Sequence, residues 1–134
     1  MSESPNSRIS EFPKSGFASS YKDLNVYKKA FSVSLDIHKS TSEFPKTEQH
    51  ALASQMRRAS KSICANLAEG FAKQQSSKAE FKRFTMIAIG SAHEMQVWCE
   101  YCIELGYIDQ KTFQEWTDAY DHIVRMLQSL YSKT

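Results

Sequence analysis

The chain has 134 residues, 41% of them hydrophobic, and 17 basic against 15 acidic side chains give a formal net charge of +2. That size suits one domain with a real core, the scarcity of glycine and proline favours long helices over a turn-rich β protein, and the mild charge permits an acidic partner without demanding one. No apolar run approaches the ~18 residues of a membrane span, no signal-peptide pattern marks the start, and three cysteines argue against a disulfide framework, so the cytoplasm is the expected compartment.

Residues 1–20 are serine-rich, with Pro5, Pro13 and Gly16, and read as a flexible tail. Glu3 and Glu11 balance Arg8 and Lys14, so this is a linker or extension and not a basic nucleic-acid arm. Residues 21–134 read as one helical domain. The first helix is expected to start after Asp23 as N-cap and to end before Phe44-Pro45. It carries two apolar stripes: Leu24, Tyr27, Phe31, Leu35 and His38 on one side, and Val26, Ala30, Val33 and Ile37 nearly opposite. A monomer's surface helix needs only one such face. The second stripe is therefore expected to lie between copies of the chain.

The second helix is expected to start at Thr47 and to stop at Gly70, a left-handed stop residue. Its core stripe is Leu52, Met56, Ala59, Ile63, Leu67 and Gly70. Beside it runs a polar row, Gln55, Arg58, Ser62, Asn66 and Glu69, on one shared face. Polar groups next to a core stripe are costly unless partnered, so the row is read as a structural network. A loop at Phe71–Ser76 leads to Ser77-Lys78-Ala79-Glu80, a capping box. The third helix runs to Leu105, with Gly106 as its stop. Phe81, Phe84, Ala88, Ala92, Met95, Cys99 and Cys102 line its core side, and Met86, Gly90 and Val97 line the far side, again assigned to an oligomer interface. Asp109 caps the fourth helix, whose stripe is Phe113, Trp116, Tyr120, Ile123, Val124, Leu127, Leu130 and Tyr131, opposite a polar face.

Four helices with short connections predict an all-α, antiparallel up-down-up-down bundle. Counting outward from the turn near Gln75 brings Arg58 beside Ser91, Ala92 and Glu94. A buried or half-buried Arg58–Glu94 pair is expected, with Ser62 and Ser91 helping to satisfy it. Loss of Arg58 from such a pair would cost roughly 3–5 kcal/mol.

The chemistry of catalysis is not visible. Cys99-x-x-Cys102 lies deep inside a helix and on its core stripe, which reads as small hydrophobes and not as a redox or zinc site. No Glu-x-x-His metal motif, phosphate-cradling loop or nucleophile elbow is present. No catalytic residue, metal or cofactor is assigned. Basic residues do gather around the second and third helices: Arg57, Lys61, Lys73, Lys78, Lys82 and Arg83. They are read as a phosphate-contacting surface, set against the plainer reading of a solvated face.

Several segments taken together carry a family resemblance. They are Asp23-Leu24 with Val26-Tyr27, Phe44-Pro45, Glu48, Gln55-Met56-Arg57-Arg58-Ala59, Ser62-Ile63, Asn66-Leu67-Ala68-Glu69-Gly70 and Phe84. The last are Ile87-Ala88-Ile89-Gly90-Ser91 with Glu94, and Leu105-Gly106-Tyr107-Ile108. The chain from about Leu24 to Leu130 resembles the four-helix-bundle proteins encoded in bacterial 23S rRNA intervening sequences, also labelled S23 ribosomal proteins. The accessory protein of diversity-generating retroelements is a more distant relative. The resemblance implies a homopentamer, and the retroelement relatives use a basic pentameric barrel to engage nucleic acid and a reverse transcriptase. Two departures stand out. Cys64 occupies the place of a proline that would bend the second helix, and Lys73-Gln74-Gln75-Ser76-Ser77 replaces a loop that is often arginine-rich. The expected function is a non-enzymatic, ring-forming protein that binds structured RNA or DNA. The alternative is a scaffold for a protein partner without nucleic-acid binding.

Overall fold

The computed structural model describes residues 20–134. The expected tail therefore lies outside the described residues, Ser20 apart. Among the described residues there are four α-helices and no strand: α1 (Asn25–Thr41), α2 (Leu52–Lys73), α3 (Lys78–Glu104) and α4 (Gln110–Lys133).

A single 3-10 turn, Tyr21–Asp23, precedes α1. Ser20 accepts from the Lys22 amide at 3.2 Å, and the Ser20 amide donates to Asp23 at 3.1 Å. Asp23 therefore closes a capping box on this turn and is not the N-cap of α1; Leu24 holds that position without a side-chain cap. A second correction concerns Thr47. The chain makes a 3-10 turn at Lys46–Glu48, and α2 begins only at Leu52, whose amide donates to Glu48 Oε1 at 3.3 Å.

Gly70 does not stop α2, which runs on to Lys73. It is a glycine for a different reason: a Cβ there would lie 2.9 Å from the Cβ of Phe84, so α3 can approach only if position 70 is bare. Gly106 behaves as expected. Its φ of +77° lets the Tyr107 amide reach back to the Cys102 carbonyl at 2.9 Å and end α3. Asp109 caps α4 through the Thr112 amide at 2.8 Å. Ser77 caps α3 by accepting from the Glu80 amide at 3.1 Å, but Glu80 gives its carboxylate to Arg83, so no reciprocal box forms.

Long-range contacts fix the directions. Arg57 meets Thr41 across α1 and α2. Cys102 meets Met56, and Ser91 meets Ser62, across α2 and α3. Gln96 meets Asp121, and Lys82 meets Tyr131, across α3 and α4. Each sequential pair is antiparallel, and α1 closes on α4, as an up-down-up-down bundle requires.

The core contains Met56, Ala59, Ile63 and Leu67 of α2. Phe81, Ala88, Ala92 and Met95 come from α3, and Trp116, Tyr120, Ile123 and Leu127 from α4. The α1 contribution overturns an expectation. Val26, Ala30, Val33 and Ile37 are buried inside the chain's own core, so they are not an interface between copies. The opposite stripe faces out: Phe31 is 46% and Leu35 44% exposed, and only its first member, Leu24, is fully buried. Small and β-branched side chains fill the seam where α1 packs on α2 and α4. The buried hydroxyls of Ser34, Thr41, Ser60 and Thr85 each donate to a carbonyl three or four residues back.

Candidate interaction surfaces

The polar row of α2 divides into two small networks. Ser91 donates to Ser62 at 3.0 Å, and Asn66 donates to the Ser62 hydroxyl and carbonyl. One turn away, Gln55 accepts from Arg58, Arg58 stands 3.6 Å from Glu94, and Glu94 accepts from the Trp98 indole at 3.1 Å. The partners match the sequence reading, but only Glu94 is half-buried and Arg58 is exposed. The Arg58 side chain is 64% and that of Glu94 34% exposed, which puts the pair in the class worth about 0–1 kcal/mol. Glu69 joins neither network; it is exposed and near enough for Arg83 to feel its charge.

The six basic residues do not form one surface. Arg57 is half-buried and donates to the Thr41 hydroxyl at 3.0 Å and to the Gln49 carbonyl and side chain at 3.1 and 3.3 Å. It is a structural tie between α1, α2 and their connection, and has little to offer a phosphate. Lys61 is exposed 2.9 Å from His38 on α1; partial burial, then the charge of Arg57, lowers its pKa. Along the helix Arg57 lies sixteen residues, or ~24 Å, and Lys61 twelve residues, or ~18 Å, from Lys73. Lys73, Lys78, Lys82 and Arg83 do gather at the α2–α3 hairpin. There the Lys82 ammonium sits 4.6 Å over the Tyr131 ring, and the Arg83 guanidinium 4.4 Å over Phe84. The hydrogen bond from Arg83, and beyond it the field of Lys73, hold the Glu80 carboxyl below its usual range.

Sequence reading missed a cluster at the opposite end. Gln49 donates to the carbonyls of Thr41 and Phe44 at 2.9 and 3.0 Å. Phe44 packs on Tyr107 with ring centroids 5.2 Å apart, and the Tyr107 hydroxyl donates to Glu48 at 2.8 Å. Glu48 and Tyr107 both lay in the segments quoted for the resemblance, which was the available signal. Cys64, Cys99 and Cys102 are free and buried. Burial pushes the thiol of Cys64 up to about 11 and those of Cys99 and Cys102 up to about 12, the opposite of an activated thiolate. Among the described residues, no group of three metal-ligating side chains is placed to hold an ion.

Two apolar strips remain outside. On α1, Tyr27 stacks on Phe31 at 5.9 Å, and Leu35 continues the line. On α3 and its C-cap, Met86, Ile87, Val97, Tyr101 and Leu105 are 40–53% exposed, and Gly90 lies among them with nothing within 4 Å of where its Cβ would be. Met86, Gly90 and Val97 thus face outward.

These features define a small antiparallel helical-bundle protein with polar ties between helices and uncovered apolar strips. The chain belongs to the 23S rRNA-intervening sequence protein family, whose profile matches residues 22–129. One solved structure with the same fold is the crystal structure of a protein of unknown function from the S23 ribosomal protein family of Bacteroides thetaiotaomicron. It has a TM-score of 0.71 and 24% sequence identity over 80% of this chain and 95% of that one. No curated protein matches the chain. Among the described residues, no helix is long and apolar enough to cross a membrane.

Proposed function

We propose that this chain is a non-enzymatic, self-assembling cytoplasmic protein, a homopentamer by family resemblance, whose α2–α3 hairpin ends contact structured RNA or DNA. The observation that carries the reading is the gathering of Lys73, Lys78, Lys82 and Arg83 at one end of the bundle, where Glu80 and Glu69 are the nearby carboxylates. One copy has a small excess of positive charge there. Repetition around an axis turns that excess into a field able to hold a polyanion. Arg57 and Lys61 no longer belong to this surface.

The test is binding of a structured RNA and a duplex DNA across a salt titration, with Lys82→Glu/Arg83→Glu beside the parent. Two phosphate contacts give a log–log slope of about −1.8, and the double reversal is expected to remove most of the affinity while the helical signal is unchanged. Equal binding by both proteins refutes the surface.

A second reading, a scaffold for a protein partner, draws support from the engagement of the same cations. Arg83 is held by Glu80, and Lys82 lies over Tyr131. Absence of nucleic-acid binding at low salt, with a protein partner retained after nuclease treatment, selects it.

A further inference from the structure

We infer that the apolar strip of α1 is the seat for the C-terminal half of the α3 strip of a second copy, joined head to tail. The inference rests on the self-assembly reading above and names the two faces that meet. The α1 strip, Phe31 and Leu35, is flanked by the exposed bases Lys28 and Lys39, with Lys61 beside His38 on the other flank. The α3 strip, Val97 and Tyr101, is flanked by the exposed acids Glu100 and Glu104. Neither Lys28, Lys39, Glu100 nor Glu104 has an ion-pair partner among the described residues.

On a helix, Phe31 and Leu35 lie one turn apart, as do Val97 and Tyr101, so each strip is a compact apolar row with charge along its edge. One row has a basic edge and the other an acidic edge. Like would repel like if either strip met its own copy, whereas the unlike strips complement each other in both polarity and charge. A contact between two different faces of the same chain is heterologous and propagates around a ring or along a filament. Gly90, bare and outward on the same face of α3, leaves room for the neighbour's backbone to come close.

The decisive experiment uses two full-length variants, Leu35→Asp and Tyr101→Asp, in sedimentation equilibrium. Both positions are exposed, and circular dichroism checks that each variant folds. Each variant alone is expected to be monomeric at a concentration where the parent assembles. Mixed, they retain one sound α1 strip and one sound α3 strip between them, so a 1:1 heterodimer and nothing larger is expected. A mixture that stays monomeric, or either variant assembling like the parent, overturns the pairing while leaving self-assembly by another face standing. A parent that is itself monomeric overturns both. As a second arm, Lys28→Glu/Lys39→Glu and Glu100→Lys/Glu104→Lys should each weaken assembly about tenfold, and the four changes in one chain should restore it. Failure to restore removes the charge argument.

Discussion

At one end of the bundle the α1–α2 connection is tied into the body of the protein by residues distant in sequence. At the other, the α2–α3 connection is held by bonds that span only a few residues. Arg57 reaches across to Thr41 and Gln49, Gln49 to Thr41 and Phe44, and Tyr107 to Glu48. The hairpin has Ser76 and Ser77 on the Lys73 carbonyl and Ser77 capping α3. A long connection is therefore rigid and a short one locally held, because side-chain ties and not length decide how much freedom a loop keeps. The rigid end uses its arginine internally. The local end leaves its cations near solvent, and that division is what supports proposing the nucleic-acid contact there.

The largest effect belongs to the cysteines near the tied end. With thiols pushed up to about 12, Cys99 and Cys102 should react with iodoacetamide at pH 8 roughly a thousandfold more slowly than an ordinary thiol. Labelling at free-cysteine rates would mean that this end opens readily. Arg57→Ala comes next. It removes three charged hydrogen bonds to two residues, and urea unfolding should show a loss of about 3 kcal/mol; a loss under about 1 kcal/mol would dissolve the distinction between the ends.

Gly70→Ala forces a methyl against Phe84. The overpacking cost of about 1–3 kcal/mol, less the ~1 kcal/mol gained by removing a helical glycine, should leave a net loss of about 1 kcal/mol. Arg58→Ala, one residue from Arg57, should cost no more than about 1 kcal/mol because its pair is exposed. Smallest of all, two glycines inserted after Gln75 should shift stability by about 0.5 kcal/mol or less. The same insertion after Glu48 should cost several times more in the same assay, since it separates Gln49 from Thr41.

Much of this architecture was legible in the residue pattern. The stripes of α2, α3 and α4, the Asp109 cap, the Gly106 stop and the Ser62–Ser91 and Arg58–Glu94 partnerships all follow from helical spacing plus one antiparallel hairpin. What spacing cannot supply is the choice between equivalent faces. The two stripes of α1 are both apolar, and only the packing of α2 and α4 decides that Val26, Ala30, Val33 and Ile37 turn inward. Arg57 and Arg58 are neighbours in sequence but point toward α1 and α3 respectively, so one became a tie and the other an exposed ion pair. Gly70 gave a stop signal that tertiary contact with Phe84 explains in another way. At the basic surface, counting charges near a hairpin could not reveal that one of them was already committed elsewhere.

Under the assembly proposed above, Gly90 gives the bundle a thermodynamic signature that separates folding from association. It stands in the interior of α3 with no neighbouring atom to demand it, so an isolated chain carries a helix-propensity penalty of about 1 kcal/mol relative to alanine. In Gly90→Ala the melting temperature of dilute protein should rise while its concentration dependence weakens, two quantities that move together in most stabilised variants.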